Sequence, residues 1–419
     1  MKRVLLVLSQ MPQDPASGAA RSMRTMCEML ASFPDRFGVR AVVCSGTEHG
    51  SPEPVERVLA SAGVTPTIEP ANIGPGGRPR VLRFEHHRVP YAMLDTGATM
   101  APNCNAEINR AFDHLIDAEA DAFGPDMVLT FGGQPGEMAR RARLRARGMA
   151  IVFGLRNHGY LKHGAFKDCD AVVTPSRYLS GVYESFCGLR STALPVPINE
   201  SEVLATEREP VMFTFVNPSP QKGLMFFARL AEELGKRRPD IGLMVVESRG
   251  TAGTLVRAGQ AGGFDLRRHA SIVTSPGVSE PRHIYAATRV LLVPSVWEEP
   301  SGRVSGEAML NGIPPIVSDR GGLPETVEDG GFVLPLPKHL TPESMVPVSA
   351  AEVSAWAGLI ERLQDDEAFY QDSCERARVA GERLRFEALA PRYAAFFESV
   401  KRGAGATLGP GVADNQRSA

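Results

Sequence analysis

The chain has 419 residues, with 46 Lys+Arg against 48 Asp+Glu and a formal net charge of −2, so its overall charge gives no general pull toward nucleic acid. Hydrophobic residues make up 43%, ample for more than one packed core at this length, and no apolar run approaches the eighteen or so residues of a membrane span. Six cysteines, at 27, 44, 104, 169, 187 and 374, form no C-x2-C pair; this excludes the common zinc spacings and points to reduced, mostly buried thiols in cytoplasmic surroundings.

In chain order, Val4–Leu8 is the first strand candidate. Its apolar stretch is shorter than the core of a secretory signal, so MKRVLLVLSQ reads as a buried strand. The loop Ser17–Ser22 then opens a helix over Ala20–Ala31, and Val39–Cys44 is the next strand. Residues 48–80 are rich in Pro and Gly and take no assignment. Helices are expected at Asn105–Asp121, Gly136–Arg147 and Arg177–Cys187, with strands at Met127–Phe131, Ile151–Phe153 and Ala171–Thr174. Short apolar runs alternating with helical patterns indicate parallel sheets with crossover helices.

Three features of this half invite specific chemistry. Gly132–Gly136 follows a strand but is not G-x-G-x-x-G, and no acidic residue follows at the usual distance, so a dinucleotide site is discounted. Ala139–Gly148 carries five arginines on one helix, expected as a solvated face, with weak peripheral contact to an anionic membrane as the second reading. Asp168-Cys169-Asp170 spells a D-x-D pair able to hold a divalent cation against a diphosphate, but it directly precedes a strand and reads as an exposed acidic turn. Leu194–Pro210, with three prolines and no periodicity, is a hinge candidate.

The second half repeats the scheme, with strands expected at Met212–Val216, Leu243–Val246, Ser271–Thr274, Val290–Val293 and Ile316–Ser318, and helices at Leu224–Arg237 and Pro281–Thr288. Lys222 falls between a strand and a helix, where an ammonium beside a diphosphate is worth roughly 4 kcal/mol per charge pair. The most informative stretch is Val290–Gly330. A buried strand leads through an acidic loop, Trp297–Ser301, to a short helix near Gly302–Asn311, where Gly312 supplies a left-handed cap and Pro314 forbids continuation. Strand Ile316–Ser318 and a Gly321-Gly322 turn follow. Glu299 precedes the helix, Glu307 lies in its second turn, and the amides of Gly302, Arg303 and Val304 lie between them. Unpaired amides favour phosphate, and ionised carboxylates accept from hydroxyl donors. The implied ligand is a phosphate flanked by two polyols, a nucleotide-sugar.

This block resembles the paired-glutamate signature of retaining glycosyltransferases of family 4. The resemblance implies an α/β protein of the GT-B fold, two Rossmann-like doubly wound parallel-sheet domains facing across a cleft. It places an acceptor domain at 1–194, a nucleotide-sugar domain at 195–385, and a crossover helix at 386–402 packing back on the first domain. The small, polar residues 403–419 are expected to be a disordered tail. By the same resemblance Glu299 is the catalytic residue, contacting sugar hydroxyls beside the reacting carbon, while Gly302, Arg303, Val304 and Lys222 bind the diphosphate and Glu307 the ribose diol. Gly18 matches a glycine loop beneath the donor phosphates. Asn157 matches a residue near the donor sugar, with Arg156 where the family has His.

The chain departs from the pattern in three further places. Asn217 occupies the position of a second phosphate-binding cation, for which Arg303 or Arg249 would substitute; Ala19 replaces a second loop glycine; and Ser301 stands where Phe is common. The implied activity is retaining transfer of a glycosyl group from a UDP- or GDP-sugar to an unidentified acceptor in polysaccharide, glycolipid or glycoside synthesis. No metal or cofactor is implied, and the implied location is the cytoplasm, extending to the inner face of the membrane. The alternatives are a nucleotide-sugar-binding protein without transfer activity, and a metal enzyme using Asp168 and Asp170.

Overall fold

The structure, a computed structural model, describes residues 1–14, 17–47, 54–70, 80–96, 105–161, 164–277 and 280–405. The chain divides into two units: Met1–Pro197 together with the residues from Leu389 onward, and Ile198–Ala388. Each is built on its own sheet.

In unit 1 the sheet has nine strands: β1 (Lys2–Leu8), β2 (Phe37–Cys44), β3 (Thr67–Pro70), β4 (Arg80–His86), β5 (Val89–Asp95), β6 (Met127–Thr130), β7 (Ala150–Gly154), β8 (Ala171–Thr174) and β9 (Thr192–Ala193). Their order is β3-β4-β5-β2-β1-β6-β7-β8-β9, parallel throughout from β5 to β9 and antiparallel from β3 to β5. β1 is central, and Val4–Leu8 are buried because helices cover both faces of a parallel sheet. The β3–β5 portion was not expected from sequence. Pro90 interrupts the β pattern, yet it sits beyond the β2 ladder, which begins at Tyr91, so its missing N–H costs that ladder nothing.

Unit 2 has six strands, all in parallel pairs: β10 (Met212–Val216), β11 (Leu243–Val246), β12 (Ile272–Ser275), β13 (Thr288–Val293), β14 (Pro315–Ser318) and β15 (Phe332–Leu334). The order β12-β11-β10-β13-β14-β15 is that of the doubly wound fold, with its reversal between β10 and β13. Phe213 and Phe215 of β10 are buried beneath helix Leu224–Arg237, whose Phe227 stacks on Phe215 at 4.2 Å. Trp356 meets Phe226 edge-on at 5.3 Å. Each such side chain contributes about 1.5–3 kcal/mol by leaving water, which fixes where the helix begins and therefore where Lys222 stands.

The five-arginine helix, Pro135–Ala146 with its cap Arg147, is neither a bare solvated face nor an unpaired cationic one. Arg140 Nε lies 2.7 Å from Asp113, Arg143 pairs with Asp113 and Asp117, and Arg147 with Asp117 and Asp121. These aspartates are one and two turns apart on helix Ala106–Phe123, so the two helices zip together by charge. Arg141, buried, donates to the carbonyls of Gly132 (2.7 Å) and Ala165 (2.9 Å). Arg145 reaches Asp170 at 3.1 Å.

That last contact corrects the expectation of an exposed acidic turn at 168–170. The Asp170 side chain is fully buried and accepts from the amides of Ile151 and Gly403, both at 2.8 Å. Cys169 beside it is also buried, and burial pushes its thiol up to about 12. A carboxylate holding an arginine and two amides is part of the scaffold, so the metal reading of this D-x-D pair loses its ligand.

Helix Phe386–Ser399 closes unit 1 from the far end of the chain. Tyr393 donates to the carbonyl of Pro195 at 2.8 Å, and Lys2 Nζ caps the carbonyls of Glu398 and Val400 at 2.6 and 3.0 Å. Cys27, Cys44, Cys169 and Cys187 are buried free thiols and Cys374 is half-buried, while Cys104 lies outside the described residues. Most of the stretch expected as a disordered tail, residues 406–419, lies there too. Among the described residues no helix is long and apolar enough to cross a membrane.

Removing the Asp170 carboxylate strands two buried amides and one arginine. Asp170→Ala is expected to lower unfolding free energy by about 2–4 kcal/mol in urea titration. A loss under about 0.5 kcal/mol, the usual range of surface substitutions, would show that the carboxylate holds nothing.

Candidate functional site

Ligands of doubly wound sheets bind outside the carboxyl ends of the strands, where the strand order reverses. In unit 2 that place is defined by the loops leaving β10 and β13. The β10 loop runs Asn217–Ser219, a single helical turn at Pro220–Lys222, and Gly223. The β13 loop runs from Pro294 to Gly302, ahead of helix Arg303–Leu310.

The two loops are locked together by backbone. The carbonyl of Gln221 accepts from the amides of both Val296 and Trp297 at 3.1 Å. Gly223 has φ +84°, and a Cβ there would lie 1.8 Å from the Pro294 carbonyl oxygen. Only glycine allows this approach. The consequence is a direct ion pair between Lys222 and Glu299, with the Glu299 side chain only 9% exposed. Ser295 Oγ stands 2.8 Å from the same carboxylate oxygen, Oε1, and accepts no freedom of its own: its carbonyl holds Ser318 Oγ at 2.6 Å. Both contacts of Glu299 fall on Oε1, so among the described residues Oε2 is open to a ligand hydroxyl.

The glycine turn after β14 fixes Glu299 from the other side. Gly322 N donates to the Glu299 carbonyl at 2.7 Å. A Cβ on Gly321, φ +62°, would sit 2.3 Å from that oxygen and 2.5 Å from the Glu299 nitrogen. The Gly-Gly pair is therefore a mould for the acidic loop.

Helix Arg303–Leu310 starts from Gly302 in the left-handed region, φ +88°, with no side-chain cap and no acidic residue in its first turn. Helix Leu224–Arg237 likewise starts from a left-handed glycine, Gly223, without a side-chain cap. Two uncapped helix starts at one strand reversal place partial positive charge where an anion would be received.

Glu307 is 4% exposed at its side chain and is held by one partner from its own helix and one from a neighbouring helix. Tyr285 Oη donates to Oε2 at 2.7 Å, and Arg303 Nε to Oε1 at 2.7 Å. Each carboxylate oxygen retains a second lone pair, so these bonds orient the group without saturating it.

Of the residues singled out from sequence, the structure thus brings Lys222 to Glu299 and Arg303 to Glu307. Arg303, expected as a substitute phosphate cation, is committed to Glu307 in this arrangement. Asn217 has φ +64°, a region asparagine tolerates, and its Oδ1 accepts from Gly250 N at 2.9 Å. The side chain thereby ties the loop after β11 to the end of β10. Arg249, in that loop, is exposed and unpaired among the described residues.

Gly18 and Asn157 belong to unit 1. A Cβ on Gly18 would meet nothing within 4 Å, so among the described residues no neighbour demands a glycine there. Asn157 is exposed and closes a local turn, its Oδ1 accepting from Gly159 N at 2.8 Å. Arg156 is buried, bonds Met26 Sδ at 3.2 Å and faces Tyr393, and burial lowers its pKa. His158 lies edge-on to Tyr178 at 6.0 Å.

Ser295, Tyr285 and the Gln221 carbonyl were not singled out from sequence. Tyr285 gave no signal inside an ordinary helical pattern, and a backbone carbonyl gives none at all.

Comparison with known proteins bears on the fold that carries these residues. Residues 210–366, which lie wholly in unit 2 and make up less than half the chain, match the family described as Glycosyl transferases group 1. Spore coat protein SA of Bacillus subtilis (strain 168) is 43% identical over 53 residues, 12% of this chain; the match spans only 14% of that protein's length. Among solved structures, sucrose-phosphate synthase (tll1590) from Thermosynechococcus elongatus superposes with a TM-score of 0.66 at 16% identity, covering 95% of this chain and 98% of that one. Anabaena Alr3699/HepE in complex with UDP gives 0.63 at 15% identity, covering 95% and 100%. Likeness at this identity establishes the fold, which is GT-B.

The mould around Glu299 is testable with a matched pair. Gly263 has φ +83° but open space around a Cβ, whereas Gly321 has φ +62° and the Glu299 backbone in the way. Gly263→Ala should cost only the left-handed term, about 1–2 kcal/mol. Gly321→Ala should cost clearly more in the same denaturant titration, and equal losses would mean that the loop yields freely.

Proposed function

We propose that the protein is a retaining glycosyltransferase that moves a sugar from a UDP- or GDP-sugar to an acceptor hydroxyl. The observation carrying this reading is the Lys222–Glu299 pair at the strand reversal of unit 2, flanked by two uncapped helix starts. That is one cation and two sets of amides for a diphosphate, and one half-occupied carboxylate for hydroxyls. The group 1 match over 210–366 and the UDP complex of Alr3699/HepE support the same chemistry.

In the reaction the bond between the sugar's anomeric carbon and the diphosphate oxygen breaks, and negative charge grows on the leaving phosphate. The amides at Gly302, Arg303 and Val304 and the Lys222 ammonium stabilise that charge without having to reorganise. The acceptor oxygen bonds to the same face of the carbon, and its proton passes to the departing phosphate oxygen. Glu299 Oε2 holds sugar hydroxyls beside the reacting carbon, and Glu307, preset by Tyr285 and Arg303, receives the ribose diol. The Lys222 charge and the helix ends meet the role a divalent cation would otherwise fill, so the proposed reaction is metal-independent.

Asn217 cannot supply charge, but it anchors the loop that presents Arg249, and Arg249 is the proposed second phosphate cation. The missing cation at 217 also motivates a second reading, a nucleotide-sugar-binding protein without transfer activity. It is distinguished by tight UDP-sugar binding in calorimetry with no release of UDP against any acceptor.

Glu299→Gln should lower turnover by roughly 100-fold or more while UDP affinity stays within a few-fold, the pattern of a lost transition-state contact. Full turnover in that variant would remove Glu299 from the chemistry. Arg249→Ala should weaken UDP binding by roughly tenfold, on the scale of one near-surface charge pair. Unchanged affinity would return the search for the second cation to other residues.

A further inference from the structure

Unit 1 holds a cluster that the transfer chemistry does not use. Among the described residues, Glu28, His86 and His87 form a set of three metal-ligating side chains whose donor atoms all lie within 4.8 Å of one another. Glu28 sits in helix Gly18–Ala31 and is 5% exposed; His86 ends β4 and is 9% exposed; His87 is exposed.

The turn carrying the histidines has an uncommon sequence for its geometry. His86 pairs with Val89 across the β4–β5 hairpin, leaving His87 and Arg88 as a two-residue turn. Both have positive φ, +48° and +65°. Such turns select Asn-Gly, because other side chains pay roughly 1–2 kcal/mol per residue in the left-handed region. Histidine is among the side chains that tolerate this region best, and there the turn fixes where its ring lies. The turn sets the His87 ring beside that of His86, centroids 4.2 Å apart and planes tilted by 47°, which brings two imidazoles to one carboxylate.

We propose that Glu28, His86 and His87 bind a zinc ion that clamps helix Gly18–Ala31 to the β4–β5 hairpin. Two imidazole nitrogens and one carboxylate suit a borderline transition metal and disfavour Mg2+ and Ca2+, which want oxygen. Zinc bonds of about 2.0–2.1 Å set tetrahedral donors about 3.4 Å apart, so the side chains close inward by an ångström or so on binding. Water completes the shell on the exposed His87 side. Arg24 Nε lies 3.0 Å from Glu28 Oε1, so the ion and the guanidinium share this carboxylate. The nearby guanidinium also repels the ion, so the site binds more weakly than one built of four thiolates.

The test is calorimetric titration of ZnCl2 into the chelator-stripped, desalted full chain, with MgCl2 in parallel and Co2+ as the optical probe. One equivalent of zinc should bind and raise the melting temperature by mass action, and Mg2+ should not compete. His86→Ala and His87→Gly should each weaken zinc binding by roughly 100-fold or more. Because glycine suits the turn, His87→Gly should also melt higher than wild type without metal, so misfolding does not explain its lost binding. No stoichiometric zinc in the wild type, or wild-type affinity in His87→Gly, overturns the site.

Discussion

The candidate site depends on one close approach: the carbonyl oxygen of Pro294 occupies the space where Gly223 would carry a side chain. Bringing the β10 and β13 loops into that contact sets a lysine and a glutamate from distant parts of the sequence side by side. Neither loop could do so alone. β10 and β13 are neighbours because the doubly wound order reverses between them, and a reversal leaves the two following helices on opposite faces of the sheet. Both helices then begin at the same edge, each from a left-handed glycine that brings no capping side chain.

Electrostatics inside this frame are divided unevenly. Glu299 concentrates its partners on one oxygen and keeps the other for a ligand, whereas Glu307 has an ordering bond on each oxygen. That asymmetry matches the two tasks proposed for them. A group meeting a sugar whose charge changes during reaction gains from an open oxygen. A group that only receives a diol gains more from being held still, since orientation is what it contributes.

The parts of the fold legible in the sequence are those set by local pattern. Val290–Val293, Gly312 and the Gly321-Gly322 turn stand where the patterns put them, because buried parallel strands are continuous apolar runs and a left-handed position selects glycine. What the sequence hid is non-local. Arg140, Arg143 and Arg147 read as a solvated cationic face until helix Ala106–Phe123 supplies aspartates at matching turns. Asp170 reads as surface until Arg145 and two amides surround it. The β4–β5 hairpin was invisible because its turn uses His-Arg in place of the expected Asn-Gly, so the feature that concealed it is the same one that marks it as unusual.

Asn217 shows how a departure from a motif can be absorbed by its surroundings. An arginine at this position, after β10, would bring charge but would be strained at φ +64°, where a long side chain gains no local hydrogen bond. Asparagine accepts that conformation and spends its carboxamide oxygen on Gly250, whose own Cβ would lie 2.0 Å from the Pro218 carbonyl. Two loops are thus fused at a point where both backbones are crowded. Beyond Lys222, the second cation proposed for this strand end is Arg249, the residue before Gly250 in the partner loop. In the proposed reading the replacement moves the second positive charge by one loop and makes its placement depend on a single amide hydrogen bond.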